Sequence, residues 1–370
     1  MRSTITLTVV SLAALVGCTD GTPTTPVQTA VPGSPSAKKD APVTTASVSV
    51  VMSGLDSPRG LAWGPEGALY VAEAGNTSVP GPCVESPRGP ICYSGTGGIS
   101  RLYKGEQERV ASGLPSTYRA QTVDIGGPTD ISFQGKGNAY VTIGWGAEPD
   151  LRAGLGPLGQ PFGHLIRVMP NGKWSLEADI AAFEQANNPA GGPIDSNPYG
   201  VLAEPGRQFV ADAGGNSILE VTANGAVSLV TILPKTAGGS EPVPTEVVRG
   251  PDGALYVSQL TGAPFVAGAA SIWRLVPGQA PQIYATGFKT ITDFDFAPDG
   301  SLYLIQYASA PTFFGGPGLL IRIPAGGGTP VVVNSSLTNP TGVLVGADGA
   351  IYVSNKGNVA EVGEVLRIVP

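Results

Sequence analysis

Histidine, sulfur and charge are what this 370-residue chain has least of: one His, three Cys, three Met and 13% charged residues, about half the usual share of roughly 25%. One His and three Cys exclude the ligand spacings of zinc fingers and of haem attachment. The 21 Lys and Arg form no basic run and the formal net charge is −7. That argues against a nucleic-acid surface that neutralises phosphates. Low charge with 42% apolar residues is the opposite of the composition that keeps a chain disordered. What is abundant is glycine and proline, 53 and 35 residues, about 24% of the chain against roughly 12% in average usage. The glycines have no three-residue period, so a collagen helix is excluded and a turn-rich globular fold is left.

Arg2 precedes a Leu/Val/Ala-rich stretch ending in Leu15-Val16-Gly17-Cys18. A charged start, a short apolar core and small residues before a cut make an export signal rather than a membrane span. Leu-x-Gly-Cys resembles a bacterial lipobox, in which the cut falls before a cysteine whose thiol is acylated. Residues 1–17 are therefore expected to be a lipoprotein signal peptide, with Cys18 the lipidated residue. Their removal leaves a net charge of −8. Residues 18–46 are rich in Thr, Pro and Ser with almost no large apolar side chain. Such a tether cannot offset its ordering entropy. The expected location is the bacterial cell envelope, periplasmic or surface, with the membrane reached through the lipid alone. Cys83 and Cys92 remain, with eight residues between them, and an oxidising compartment favours a disulfide there.

The rest is one motif repeated. Gly67-Ala68-Leu69-Tyr70-Val71 returns around Tyr140, Phe209, Tyr256, Tyr303 and Tyr352, at spacings of 70, 69, 47, 47 and 49 residues. A period near 48 with two expanded units is the length of a propeller blade. Each unit divides into four short strands with period-two alternation; only about Asp179–Gln185 looks helical. The last unit has three strands, and an orphan strand, Ser47–Met52, precedes the first. The expectation is an all-β, six-bladed β-propeller over 47–370, with four-stranded antiparallel blades and the N-terminal strand completing the last blade.

In such a blade, turns between strands one and two share a face with turns between strands three and four. Those turns are short here. Every insertion, about 75–97, 113–128, 144–163, 179–197, 234–243, 261–269 and 307–317, falls on the opposite face, where binding residues usually sit. On that face the third residue after each repeated aromatic is Glu73, Ile143, Asp212, Gln259, Gln306 or Asn355. The innermost strands begin Pro58-Arg59-Gly60, Pro128-Thr129-Asp130, Pro198-Tyr199-Gly200, Pro244-Thr245-Glu246, Ile291-Thr292-Asp293 and Pro340-Thr341-Gly342. Glu73, Asp130, Asp212, Glu246 and Asp293 are thus candidates to ring the channel mouth, where clustered carboxylates suit a hard cation such as Ca²⁺. The competing reading is that they cap strand ends and bond between blades. Arg59, Tyr199, Gln259, Gln306 and Asn355 are the candidate ligand-face residues, and the best cavity is expected at the mouth.

Asp195-Ser196-Asn197-Pro198-Tyr199-Gly200 with Ala211-Asp212-Ala213-Gly214-Gly215-Asn216 resembles the ScyD/ScyE family, named from biosynthesis of the sunscreen pigment scytonemin. Gly54-Leu55, Pro58-Arg59-Gly60-Leu61, Ala285-Thr286-Gly287-Phe288 and the Cys83–Cys92 loop support the resemblance, which covers about 47–370. It implies an exported six-bladed, NHL-like propeller and offers no established catalytic residues. Two function classes follow. One is a lipid-anchored, monomeric scaffold whose loop face holds a small molecule or a protein. The alternative is a metal-assisted enzyme at the same mouth, hydrolase- or lactonase-like, or the oxidative coupling that the family name suggests. His164, starting a third strand away from the axis, leaves no base for a Ser-His-Asp hydrolase or a quinone-dependent dehydrogenase.

Replacing Cys18 by Ser should release the exported protein from membranes, since the acyl chains supply the attachment. Fractionation that still finds the variant in the membrane pellet would overturn the anchor.

Overall fold

The computed structural model describes residues 47–119, 124–135, 137–311 and 313–370; the signal, the acylated cysteine and the tether expected over 1–46 lie outside the described residues. The repeated glycine has a local cause. Gly67, Gly206, Gly253, Gly300 and Gly349 have φ between +78° and +83°, which glycine adopts without a steric penalty. The hairpin they close is narrow: the Gly250 N–H donates to Ala254 O and the Gly253 N–H to Gly250 O, both at 2.9 Å. The strand that follows is covered on both faces, so Leu69–Glu73, Leu255–Gln259 and Leu302–Gln306 are buried throughout. The outermost strand is not; Val227–Ile232 has no fully buried residue.

Six antiparallel four-stranded sheets carry the repeats. Sheet I is Pro58–Trp63, Leu69–Glu73, Gly97–Tyr103 and Glu106–Leu114. Sheet II is Pro128–Gln134, Asn138–Ile143, His164–Val168 and Trp174–Asp179. Sheet III is Pro198–Glu204, Arg207–Asp212, Ser217–Thr222 and Val227–Ile232. Sheet IV is Pro244–Arg249, Leu255–Gln259, Ala270–Leu275 and Gln282–Phe288. Sheet V is Ile291–Phe296, Leu302–Gln306, Gly318–Ile323 and Val331–Leu337. Sheet VI joins Gly342–Val345, Ile351–Asn355 and Gly363–Val369 to Ser47–Leu55, which pairs antiparallel with Gly363–Val369. The N-terminal strand is thus longer than the expected Ser47–Met52.

The first strands of consecutive sheets lie side by side from I to VI, and that of VI lies beside that of I, the arrangement of a β-propeller. The repeated aromatic packs onto the sixth residue of the next sheet's first strand. Tyr70 meets Phe133 at 4.7 Å between ring centroids, Tyr256 meets Phe296 at 4.9 Å, and Tyr352 stands edge-on to Trp63 at 5.2 Å. Where that sixth residue is Arg249, its guanidinium lies 5.5 Å from the centre of the Phe209 ring.

A seventh sheet departs from the repeat and was not anticipated. Cys83–Val84, Ile91–Tyr93, Thr117–Arg119 and Asp124–Gly126 pair within two of the insertions. The expected Cys83–Cys92 disulfide is present and links facing residues of that sheet. Two short helices fill other insertions, a 3₁₀ segment over Pro149–Gly159 and an α-helix, α1, over Ile180–Asn187. Asp179 caps α1, its carboxylate accepting the Ala182 N–H at 2.8 Å.

A chain beginning at Ser57 would leave Gly363–Val369 with an unpaired edge and remove the buried Met52 and Leu55. Such a truncation should be insoluble or strongly destabilised. A soluble product with unchanged cooperative melting would show that this strand is dispensable.

Candidate functional site

The second residue of each first strand follows a rule with two exceptions. Thr129, Thr245, Thr292 and Thr341 each donate their hydroxyl to the carbonyl that opens the next first strand, at Pro198, Ile291, Pro340 and Pro58, over 2.6–3.2 Å. These threonines stitch neighbouring sheets at the mouth. The exceptions are Arg59 and Tyr199. Arg59 reaches across to the seventh sheet, its Nη2 donating to Ile125 O at 2.9 Å, while its Nε is buried without a partner. Arg59 makes no ion pair among the described residues. Burial pushes the Tyr199 phenol up to about 12 against the pull of the Arg59 charge. Tyr307, raised likewise by burial and drawn down by Arg59, shares the site, with Asp124 also within electrostatic reach. Tyr307 was missed in the sequence because it lies one residue beyond the repeated strand-end position.

The third residue is a carboxylate in three sheets and glycine in the other three. Asp130, Glu246 and Asp293 come together in the channel, and Gly60 and Gly200 make room for them. A Cβ on Gly60 would stand 1.8 Å from Asp130 Oδ1, and one on Gly200 2.9 Å from Glu246 Oε2. Asp130 accepts the Val201 N–H and Asp293 the Val343 N–H, both at 2.7 Å from the next sheet; Glu246 accepts its neighbour Val247 N–H at 2.8 Å. Burial raises Asp130 to about 7. Burial and then the neighbouring carboxylates raise Glu246 and Asp293 well above the ordinary range. The three line a channel cavity of about 220 Å³ with Leu61, Trp63 and Asp295.

Glu73 and Asp212 stand apart from that trio, so the five candidate carboxylates do not form one ring. Each caps the loop entering its own sheet. Glu73 accepts the Asp56 N–H at 2.7 Å and pairs with Arg109 at 2.7 Å; Asp212 accepts the Asn197 N–H at 2.6 Å. Gln306 does the same for the Lys289 N–H at 2.9 Å and Asn355 for the Thr338 N–H at 2.7 Å. Gln259 instead accepts from the Trp273 indole at 2.9 Å. The repeated polar residue thus meets a repeated structural need, and of the ligand-face candidates Arg59 and Tyr199 lie outside that pattern, with the Arg59 charge reaching Tyr199. Among the described residues no three His, Cys, Asp or Glu side chains converge in an arrangement that holds a metal ion. His164 is buried beside Phe162 O and Asp179, and burial lowers its pKa.

A cleft larger than the channel cavity lies away from the mouth, where the best cavity is expected from the sequence. At about 470 Å³ it lies between sheets I and II towards the short turns, lined by Glu66, Tyr70, Arg101 and Phe133. The long-loop face instead presents an aromatic ledge. The insertions at 261–269 and 307–317 lock together through the Phe313 N–H to Pro264 O, at 3.0 Å, and through Phe265 stacked 4.2 Å from Phe314. Phe314 also meets Tyr307 at 5.3 Å, and Phe313 and Phe314 are 61% and 48% exposed.

The raised carboxyls give stability a sign with pH. The folded state holds protons that the unfolded chain releases, so their contribution is full below the ordinary aspartate value of 3.8 and is lost as pH rises through about 7. Melting temperature should fall between about pH 5 and pH 8, with Asp295 and Asp212, near 6, and Glu184, near 7, sharing the window. Glu246→Gln, which keeps a donor towards Asp130 without a charge, should flatten part of the fall. An unchanged slope in that variant would show that the trio does not titrate there.

No protein-family model matches the chain, and no curated protein sequence matches it. Solved structures do. Virginiamycin B lyase from Staphylococcus aureus is similar at 13% identity and TM-score 0.50, over 88% of this chain and 99% of that one. A nidogen/laminin complex is similar at 13% identity and TM-score 0.47, over 72% and 84%. A luciferin-regenerating enzyme is similar at 10% identity and TM-score 0.49, over 88% and 95%. At such identities the first likeness shows the fold alone: this chain is folded as a β-propeller.

Proposed function

We propose that the chain is an exported, lipid-anchored, six-bladed β-propeller of ScyD/ScyE-like kind, closed by Ser47–Leu55. On this reading it is a monomeric, non-catalytic scaffold that binds a small anionic ligand at the channel mouth of its long-loop face. One observation carries this reading. At the position where the repeat uses threonine to join sheets stand Arg59 and Tyr199 instead, and the Arg59 charge reaches both Tyr199 and Tyr307. A guanidinium offers five donors. Arg59 spends one on Ile125 O and keeps a buried Nε with no partner. Such a group suits a carboxylate or a similar planar anion. The ledge of Phe314 and Phe265 beside Tyr307 suits an apolar or aromatic body on the same ligand. A partner protein presenting such a group would meet the same face. The alternative, a metal-assisted enzyme, would use the same face, and neighbours of this fold include both enzymes and binding proteins.

Calorimetric titration with aromatic carboxylates such as phenylacetate, against their uncharged amides, tests this. The carboxylates should bind and the amides should not. Arg59→Ala should weaken binding about ten- to hundred-fold, the loss of a hydrogen bond to a charged group. Equal binding of acid and amide, or an unaffected Arg59→Ala variant, would refute the site.

A further inference from the structure

We propose that Glu184 and Asp212, beneath the 179–197 insertion, hold a divalent cation of the Ca²⁺ class that fastens α1 to sheet III. Glu184 is 1% exposed, yet among the described residues its carboxylate makes no hydrogen bond and its buried Oε2 has no partner. Buried polar groups are almost always satisfied, and an orphan one calls for an occupant. The oxygens draw in against two glycines. A Cβ on Gly215 would stand 2.8 Å from Glu184 Oε2 and 3.0 Å from Asp212 Oδ2. On Gly214 it would stand 2.8 Å from Asp195 Oδ1, a second buried oxygen with no partner. Neither glycine needs its freedom for the backbone, since neither has positive φ. At Gly215 the missing side chain makes room for the two carboxylates, while at Gly214 it also admits the backbone of Ser196 and Asn197, 2.8 Å from that Cβ position.

The surroundings favour a cation. Asp212 spends Oδ1 on the N–H groups of Asn197, Gly214 and Gly215, while Oδ2 accepts only the Ser196 hydroxyl, at 2.8 Å. Asp195 pairs through Oδ2 with Arg88, a largely exposed side chain. No cation faces Glu184 itself among the described residues, although the charges of Asp212 and Asp195 reach it. The donors are all oxygen: two carboxylates, the Ser196 hydroxyl, and Asp195 one glycine away. Hard oxygen donors in a flexible, incomplete shell suit Ca²⁺ completed by water better than Mg²⁺, which demands a near-ideal octahedron. The site joins Glu184 of α1 to the Asp195–Gly200 and Ala211–Asn216 segments and is separate from the channel trio.

The competing occupant is a proton on Glu184, and thermal melting of the purified chain distinguishes the two. After treatment with a chelator, adding CaCl₂ alone at about pH 7.5 should raise the melting temperature by mass action, and calorimetry should detect the ion. Glu184→Gln and Gly215→Ala should each abolish the rise, whereas Asp130→Asn, in the channel, should keep it. Gly215→Ala adds only a methyl against the ends of two side chains, so it tests the space should Glu184→Gln fail to fold. No rise in the wild type, or a rise retained in both variants, overturns the proposal. So does a Glu184→Gln protein that is more stable than a calcium-insensitive wild type, which would assign the pocket to a proton.

Discussion

The structure depends on contact between neighbouring sheets at the end of each first strand. A sheet here shares no ladder with the next, so between the strands themselves cohesion comes from side chains. The repeated aromatic supplies it by lying on the sixth residue of the following first strand, with rings 4.7–5.2 Å apart at Phe133, Phe296 and Trp63. Such pairs contribute roughly 0.5–1.5 kcal/mol beyond the area they bury. Threonine does the matching work at the other end of the strand, through hydroxyl bonds to the next carbonyl. Each first strand is held at both ends, and what lies between is free to vary.

That middle is where carboxylates enter. Asp130 and Asp293 are tied to backbone N–H groups of the adjoining sheet, so they extend the stitching inward at an electrostatic cost. The cost is limited because glycine, not a further carboxylate, occupies the other three positions, at Gly60, Gly200 and Gly342. Protonation does the rest. The trio is better understood as a sheet-to-sheet contact tuned by pH than as an open ligand cage.

The fold was legible because its signals are local. Gly253 at a left-handed turn and Tyr256 on a strand buried from both sides recur in every unit, and the orphan N-terminal strand had one vacant place to go. The seventh sheet was illegible because its strands are two or three residues long and belong to no repeat; only the Cys83–Cys92 pair hinted at them. At the site, Arg59 and Tyr199 were legible as polar or aromatic residues on innermost strands. Which strand-end polar groups were free was not, since Glu73, Gln306 and Asn355 are spent on N–H groups from loops seventeen residues away in sequence. Glu184 gave no signal at all. On a short amphipathic helix it looks like a solvated side chain, and only its burial beneath the insertion marks it.

The pairing of Ser47–Leu55 with Gly363–Val369 bears on how the molecule assembles. Ser47 faces Val369, 322 residues further along the chain. Closing a segment of that length costs only slowly more entropy than closing a shorter one, but contacts so distant in sequence delay folding. Sheets I to V can form from local hairpins as the chain emerges, whereas sheet VI must wait for both of its contributors. Until then the edge of Gly363–Val369 is open, and a chain in that state is exposed to strand exchange with its neighbours. The earliest strand to appear is thus among the last to be placed, and it sets the interval during which the protein is vulnerable.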